Sequence, residues 1–530
     1  MRIYANLCVL VSCLAAISDA ANVLYVIPFS AMSHYINLRP IGLELARRGH
    51  NVTVVTTHKE VDHPPSYHEV IVDNKSFWDL LGDERPNVFT MVDLSTEEYY
   101  NVIWKGGLAY TELTLNSSNV QKFLREDHKF DLVISEQFFH EATYVLAHKY
   151  NAPLALVTTF GNCMRHNIVT RNPVQLSNIL LEMLMVRQPA TFWGRFKNLY
   201  YSLYEYVWWK YWYLGEQEKL VKKYIPDLKE PVPSLFELQR DTALMLYNSH
   251  FSFDDAVAYA PNIIEIGGVH LSKSDGKLPN DLKEILDGAK HGVVYVNFGS
   301  NVKSSELPLD KKNAFIKVFR ELKQTVIWKW EDEKLENMPK NLIIRKWLPQ
   351  KEILSHPNIK VFISHGGLLG TQEAIFHGIP IIGVPVYGDQ YNNLLQTEEM
   401  GFGQILEFKD INEDNLRKKL NNILNDDNYG AKAREVSARF RDRPMSALDT
   451  AVFWIEYVIR NKGAPYMKNS ALKLDWVASN MIDVYAFIVI VILAIIFAFI
   501  KIASILIKLL VNVQGKKVNA DRRKVKQKRN

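Results

Sequence analysis

The 530-residue sequence predicts an α/β protein built from two doubly wound halves and closed by one membrane-spanning helix. Three observations predict it. Apolar, β-branched runs alternate with helical patterns through residues 21–270 and again through 292–446, which is the signature of parallel sheets covered by helices. A polar stretch punctuated by Gly and Pro, 271–291, separates the two and reads as a linker. Residues 484–500 are apolar or aromatic without a break, and as a helix they rise about 26 Å, close to the thickness of a hydrocarbon core.

The chain opens with an apolar run at 7–17 behind the single base Arg2, and Ser18-Asp19-Ala20 places small residues at the −3 and −1 positions of a cleavage site. Residues 1–20 therefore read as a signal peptide. Cys8 and Cys13 leave with it, so Cys163 stands alone, forms no internal disulfide and reads as a small buried hydrophobe. Residues 23–28 are apolar throughout, as a strand buried on both faces must be. A helical pattern at 38–48 stops at Gly49, and 52–56 is a second β-branched strand, so the first half begins as a βαβ unit. Strands at 131–135 and 155–158 continue it. Residues 179–224 are helical in pattern and unusually aromatic, with Phe192, Trp193, Tyr200, Trp208 and Trp212 among them. Two readings stand for them: helices packed on the sheet, or a greasy pocket or surface resting on a membrane.

In the second half the strand candidates are 293–298, 325–330, 342–345, 360–364 and 381–384. A helix at 447–460 lies beyond the last of them, within a segment 447–482 that can return and tie the halves together. The spanning helix occupies 483–508, and 509–530 is a basic tail. From Lys501 onward ten Lys and Arg face one acid, Asp521, so the tail carries +9 of a formal +5 and the rest of the chain carries −4. A body of that sign gives no reason to propose nucleic-acid binding. The positive-inside rule places the tail in the cytosol, and Lys526 and Lys528 resemble a dilysine retrieval signal of the endoplasmic reticulum, with a merely basic tail as the alternative.

The richest segment runs through Trp347-Leu348-Pro349-Gln350, Ser364-His365-Gly366-Gly367-Leu368-Leu369-Gly370, Glu373, Pro380, Pro385 and Asp389-Gln390. An apolar strand ends at Ser364, a glycine pair turns the chain, and a helix starts near Gly370. Backbone N–H groups at such a helix start form an anion site. The order His-Gly-Gly, a glutamate eight residues after the histidine, two prolines and a closing Asp-Gln resembles the signature of the UDP-glycosyltransferase family. The resemblance extends over nearly the whole chain and is strongest to insect members at Asp442-Arg443-Pro444-Met445-Ser446. It implies the GT-B architecture, two facing Rossmann-like domains with the active site between them: an acceptor-binding domain at 21–270 and a UDP-sugar-binding domain at 292–446.

Carried onto this sequence, the resemblance implies that Trp347 stacks on uracil, and that Gln350 and Glu373 bind the ribose hydroxyls. Ser300, His365, Gly367 and the amides near Gly370 would hold the diphosphate, and Asp389 and Gln390 the sugar. Relatives often carry Asn at Leu369, so backbone N–H groups must serve there alone. His34 follows the first strand, at the sheet edge where ligands bind in such folds. The resemblance makes it the general base, a task that suits a near-neutral imidazole. Glu136, where relatives commonly have Asp, would hold its tautomer and stabilise the imidazolium.

The implied reaction is one inverting displacement at the anomeric carbon of a UDP-hexose, with glucose the expected sugar and a small lipophilic alcohol the acceptor. UDP-sugar is a co-substrate, and no cofactor is expected. No Asp-x-Asp follows a hydrophobic strand, so a metal bridge is not indicated. A lipid or sterol glycosyltransferase, or a non-catalytic membrane protein that binds hydrophobic ligands, are the alternatives. Joint retention of His34, Glu136, Trp347, Glu373 and Asp389-Gln390 argues against the binder, which needs neither a base nor a leaving-group cradle. Sequons occur at Asn51, Asn74 and Asn116; Asn51 opens a strand expected to be buried, which favours the other two for glycosylation. The acceptor's identity and the oligomeric state, homo-oligomer or monomer, stay open at this level.

Overall fold

Thirteen strands fall into two wholly parallel sheets in the computed structural model, which describes residues 20–528 apart from 74, 76–78, 85–87, 185–189 and 272–277. The signal-peptide run at 7–17, the Asn74 sequon, part of the 271–291 linker and the last two residues lie outside the described ones. The chain enters as β1 (Asn22–Ile27), continues into α1 (Met32–Arg47) and returns as β2 (Asn51–Thr56), parallel to β1. β3 (Tyr67–Ile71) extends that edge. After α2 (Thr96–Asn116), which is started by a Ser95/Glu98 capping box, β4 (Leu132–Glu136) pairs on the other side of β1. β5 (Leu154–Thr158) follows; then, beyond α3 (Phe192–Trp208), β6 (Leu244–Tyr247) and β7 (Ile263–Glu265) complete the order β3-β2-β1-β4-β5-β6-β7.

The second sheet repeats the plan. β8 (Val293–Asn297), β9 (Thr325–Lys329), β10 (Leu342–Arg345) and β11 (Ile359–Ser364) lead to α4 (Leu368–His377), β12 (Ile381–Gly383), α5 (Gln390–Glu399) and β13 (Gly403–Ile405), in the order β10-β9-β8-β11-β12-β13. Central strands are apolar because both faces are covered: Val23, Leu24, Tyr25, Val293, Val294 and Tyr295 are all fully buried. In each sheet the strand order reverses at one place, between β1 and β4 and between β8 and β11. Those two places position everything that follows.

Helix α6 (Ala447–Arg460) belongs by sequence to the far end of the second half, yet its apolar stripe lies in the core of the first. Leu448, Ala451, Val452, Ile455 and Val458 are buried with Leu38 and Ile41 of α1 and with side chains of β1, β2, β4, β5 and β6. Its start is capped by the Ser446 hydroxyl, which accepts from the Asp449 N–H at 3.0 Å. Arg48 pairs with Asp449 at 2.6 Å. The halves are also joined by Gln372 of α4, whose Oε1 accepts from Gly268 N–H at 3.0 Å and whose Nε2 donates to the Asn248 carbonyl at 3.1 Å.

Several expectations change. The 271–291 stretch is not all linker: residues Asn280–Gly288 form a helix that buries Leu282 and Leu286 in the second half's core. The helical pattern expected from 179 becomes a long helix only at Phe192. β3, β6, β7 and β13 were not anticipated. Asn51 stands exposed at the start of β2, where its side chain donates to Asn22 Oδ1 at 2.9 Å, so burial gives no ground to set that sequon aside.

Residues Ser470–Asn530 form a separate unit. It contains α7 (Ile482–Gln527), whose most apolar window has a mean hydropathy of 3.1 and none of whose window is buried; among the described residues it is the one helix long and apolar enough to cross a membrane.

Because α6 completes the first half's core, Ile455→Ala should lower the stability of the whole body by about 2–5 kcal/mol, the range for emptying a buried Ile site. Thermal unfolding followed by circular dichroism, with intrinsic fluorescence as a second probe, checks this.

Candidate active site

The C-terminal ends of both sheets open onto one cleft of about 1300 Å³. Its floor on the first sheet is the β1/β4 reversal. β1 ends at Ile27, and α1 starts at Met32, so His34 falls in the first turn of that helix. β4 ends in Glu136, fully buried. One carboxylate oxygen, Oε1, accepts from His34 Nδ1, and Thr159 Oγ1 lies 3.2 Å from the same nitrogen. His34 Nε2 is thereby left as the ring nitrogen available to the cleft. The other oxygen, Oε2, lies 3.9 Å from the buried His140 Nε2. Burial pushes His140 down to about 4, so it is neutral near pH 7. Phe29, Phe138 and Phe160 surround the imidazole with ring centroids at 4.7, 4.8 and 5.7 Å. They form an apolar box with one basic atom in it. Tyr99, Ile103 and Met183 extend the apolar wall, and the Tyr99 hydroxyl donates to Met183 Sδ at 3.6 Å.

The second sheet contributes the opposite wall, again from a strand reversal. Ser300 follows β8 and His365 follows β11. The imidazole of His365 lies between two glycines: a Cβ on Gly299 would come within 2.8 Å of its Cε1, and one on Gly367 within 2.6 Å of its Nε2. Gly366, at φ +86, makes the turn that brings α4 in behind. Burial and Lys329 hold His365 down to about 4, so it would meet an anion as a neutral N–H donor rather than as a cation. Gly367 caps α4 without a side-chain bond, leaving the amides of Leu368, Leu369 and Gly370 as orphan donors at the positive end of the helix dipole.

Further along, Gln350 starts the short helix Gln350–Leu354 and donates to Glu373 Oε2 at 2.5 Å, while its Oε1 accepts from Asn297 Nδ2 at 2.7 Å. Glu373 is pushed up to about 7 by burial, against the pull of the Gln350 bond. Trp347 offers a face to the cleft while 72% exposed, an apolar plane with no ring of the described residues upon it. Asp389 stands at the N-terminal cap position of α5 without a side-chain cap bond and accepts from Asn393 Nδ2 at 2.8 Å; burial raises it to about 6. Gln390 departs from expectation in part. Its Oε1 is committed to the Val386 and Tyr387 amides at 2.8 and 3.1 Å, which leaves only its NH₂ for a ligand.

His34, Ser300, Trp347, Gln350, His365, Gly367, Gly370, Glu373, Asp389 and Gln390 all line this cleft, and Glu136 lies just beneath His34. The sequence did not reveal Thr159, Asn297, Lys329 or the three phenylalanines. Thr159 and Asn297 sit at strand ends, which was the available signal. Lys329 ends β9 and donates to the Gly299 carbonyl at 2.9 Å, adding positive charge beside His365.

The family described as "UDP-glucoronosyl and UDP-glucosyl transferase" matches residues 22–517. UDP-glycosyltransferase UGT5 of the insect Dactylopius coccus is 33% identical over 493 residues, covering 91% of each chain. UDP-glucosyltransferase 2 of the same insect is 34% identical over 488 residues, covering 91% of this chain and 92% of its own. Among solved structures, the calicheamicin glycosyltransferase CalG4 superposes with a TM-score of 0.58 at 17% identity, covering 83% of this chain and 99% of its own, a likeness of fold.

The raised Glu373 has a consequence for stability. Its folded-state value of about 7 exceeds the ordinary 4.5, so the folded protein holds this proton more tightly than the unfolded chain. The advantage is complete below the ordinary value and is lost as pH rises toward 7, a change of roughly 3 kcal/mol. Denaturant titrations should show the stability difference between Glu373→Gln and the parent growing in favour of the variant from about pH 5 to about pH 7 and flat above it.

Proposed function

Because the chain belongs to the UDP-glucuronosyl and UDP-glucosyl transferase family, it is a UDP-glycosyltransferase of GT-B fold, and we propose that it moves glucose from UDP-glucose onto a hydroxyl of a small lipophilic acceptor with inversion. The observation that carries this reading is the His34–Glu136 pair under three phenylalanine rings, facing the Glu373 and His365 wall across a single cleft. The acceptor's apolar body fills the phenylalanine box, and its O–H donates to His34 Nε2. As that proton passes to the imidazole, the oxygen bonds to the anomeric carbon and the bond to the β-phosphate oxygen breaks. Glu136, bonded to Nδ1, stabilises the imidazolium that forms.

UDP leaves toward α4. Orphan amides of Leu368 to Gly370, the neutral N–H of His365 and the hydroxyl of Ser300 take up the developing charge, so we read the transfer as needing no metal. Trp347 stacks on uracil, Gln350 and Glu373 take the ribose hydroxyls, and Asp389 with the Gln390 NH₂ takes the sugar. An acid at Asp389 can accept from the hexose hydroxyls, and the glucosyl name of one relative favours glucose as the sugar. The apolar α7 anchors the body to the endoplasmic-reticulum membrane from the lumenal side, with the tail cytosolic. A screen of UDP-sugars against phenolic and aliphatic alcohols, with mass detection, should give a hexoside with UDP-glucose; transfer from UDP-glucuronate alone would overturn the sugar assignment.

For the chemistry, His34→Ala should abolish transfer and leave UDP affinity unchanged, since the nucleotide is held by the other sheet. Glu136→Gln should lower kcat by a factor on the order of 10²–10⁴. Steady-state kinetics beside UDP calorimetry separate the two effects. A Glu136→Gln enzyme as fast as the parent would show that the carboxylate does not act.

For the donor, Trp347→Ala should weaken UDP binding by roughly 1–3 kcal/mol, the range for losing one base stack. Unchanged UDP affinity in the folded variant would move the nucleotide elsewhere in the cleft.

A further inference from the structure

Behind Glu373, and unused by the reaction derived above, a buried histidine is aimed at the carboxylate. His270 sits in the 3-10 turn Val269–Leu271, at the junction of the two halves. That turn is held from the second half: Gly268 N–H donates to Gln372 Oε1 at 3.0 Å, and Lys351 Nζ donates to the His270 carbonyl at 3.4 Å. The ring is 1% exposed. Core histidines ordinarily have both nitrogens satisfied. Here Nε2 is buried, closes no hydrogen bond of ordinary geometry, and lies 3.7 Å from Glu373 Oε1.

The other side of the ring sets where its proton sits. Asn37 of α1 presents Nδ2 to His270 Nδ1 at 3.5 Å, so Nδ1 accepts and Nε2 carries the hydrogen. Burial first, and Lys351 after it, push the imidazole down to about 3 against the pull of the Leu369 backbone, so the ring is a neutral donor. Glu373 has its two oxygens divided. Gln350 Nε2 donates to Oε2 at 2.5 Å, and Oε1 faces His270. Burial alone raises this carboxyl to about 7, yet it can accept from hydroxyls on both oxygens only while ionised and held in one orientation.

We propose that His270 is a positioning residue for the donor ribose: its Nε2–H donates to Glu373 Oε1 when the nucleotide binds and, with Gln350 on Oε2, keeps the carboxylate ionised and aimed at the ribose hydroxyls. The inference deepens the donor-site reading given above and rests on it. The separation exceeds an ordinary N–H···O bond by about 1 Å, within reach of a small shift of the Glu373 side chain. The partner that fixes the ring's tautomer belongs to the first half of the molecule. Asn37 lies one turn beyond His34 on α1, so the helix that carries the proposed base also orients the donor behind the ribose carboxylate.

The test is calorimetric titration of the full-length protein in detergent with UDP, 2′-deoxy-UDP and 3′-deoxy-UDP. The parent should bind UDP more tightly than the analogue that lacks the hydroxyl taken by Glu373. His270→Asn keeps an amide at the Nδ1 position and has nothing at the Nε2 position, whereas His270→Gln keeps an N–H donor there. The Asn variant should bind UDP about tenfold more weakly and that analogue nearly as the parent does, while the Gln variant keeps most of the preference. In a Glu373→Gln background, adding His270→Asn should cost nothing further. Equal weakening of UDP and both analogues by His270→Asn, or a loss as large with His270→Gln, would overturn the role of His270 and leave the donor-site reading standing. A ribose preference untouched by Glu373→Gln alone would overturn both.

Discussion

Everything functional in this molecule depends on a topological constraint of parallel sheets. Where strand order reverses, the connections leaving two adjacent strands run to opposite faces, and no loop covers the strand ends between them. This chain has two such places, β1/β4 and β8/β11, and each holds one half of the candidate site. His34 and Glu136 occupy the first, and Ser300 and His365 the second. The crevice gives depth without a cavity that packing would otherwise fill, and the parallel ladders hold the paired residues at fixed separation.

Burial then does most of the electrostatic tuning. Glu373 and Asp389 are raised toward neutrality and His365 and His140 are kept neutral, all with desolvation as the first cause. The same economy governs the support behind the acceptor wall. Arg165, fully buried, pairs with Glu205 at 2.8 Å and Glu182 at 2.9 Å and lies over the Phe139 ring at 5.0 Å. Trp209 Nε1 donates to Glu141 at 2.8 Å in the same cluster. Three acids around one guanidinium cannot all be ionised cheaply, and Glu205 is accordingly raised to about 7. The cluster ties α3 to the loop beyond β4, so the wall proposed to receive an acceptor is fastened to the strand that supplies Glu136.

Much of this was legible in the sequence because parallel strands buried on both faces are continuous apolar runs, and β1, β2, β4, β5, β8, β9 and β11 announce themselves that way. Most strands that were missed lack the run: β7 and β13 are three residues each, and β3 mixes His68 and Glu69 into a half-exposed edge, whereas β6 is a buried apolar run of only four residues. The donor wall was readable because its residues lie within one stretch, 347–390, where spacing reflects geometry. The acceptor wall was not, since Phe29, Tyr99, Phe138, Phe160 and Met183 meet only in space. Residues 192–213 defeated the reading for a different reason: aromatics occupy every side of the helix, so periodicity could not say that Trp209 and Tyr213 are fully buried while Trp193 and Tyr211 are bare.

The path of α6 sets an order on biosynthesis. A chain made from its N-terminus finishes all seven strands of the first sheet by Glu265, yet the face formed by Leu38, Ile41 and their neighbours stays uncovered until Val458 has been made. At roughly 5–20 residues per second that is a wait of tens of seconds. During it the early half is a nascent intermediate with an apolar groove shaped for a helix, a ready client for chaperones. Nascent chains stopped anywhere before residue 447 share that open groove, so the quality of the first domain is certified by one of the last helices to be translated.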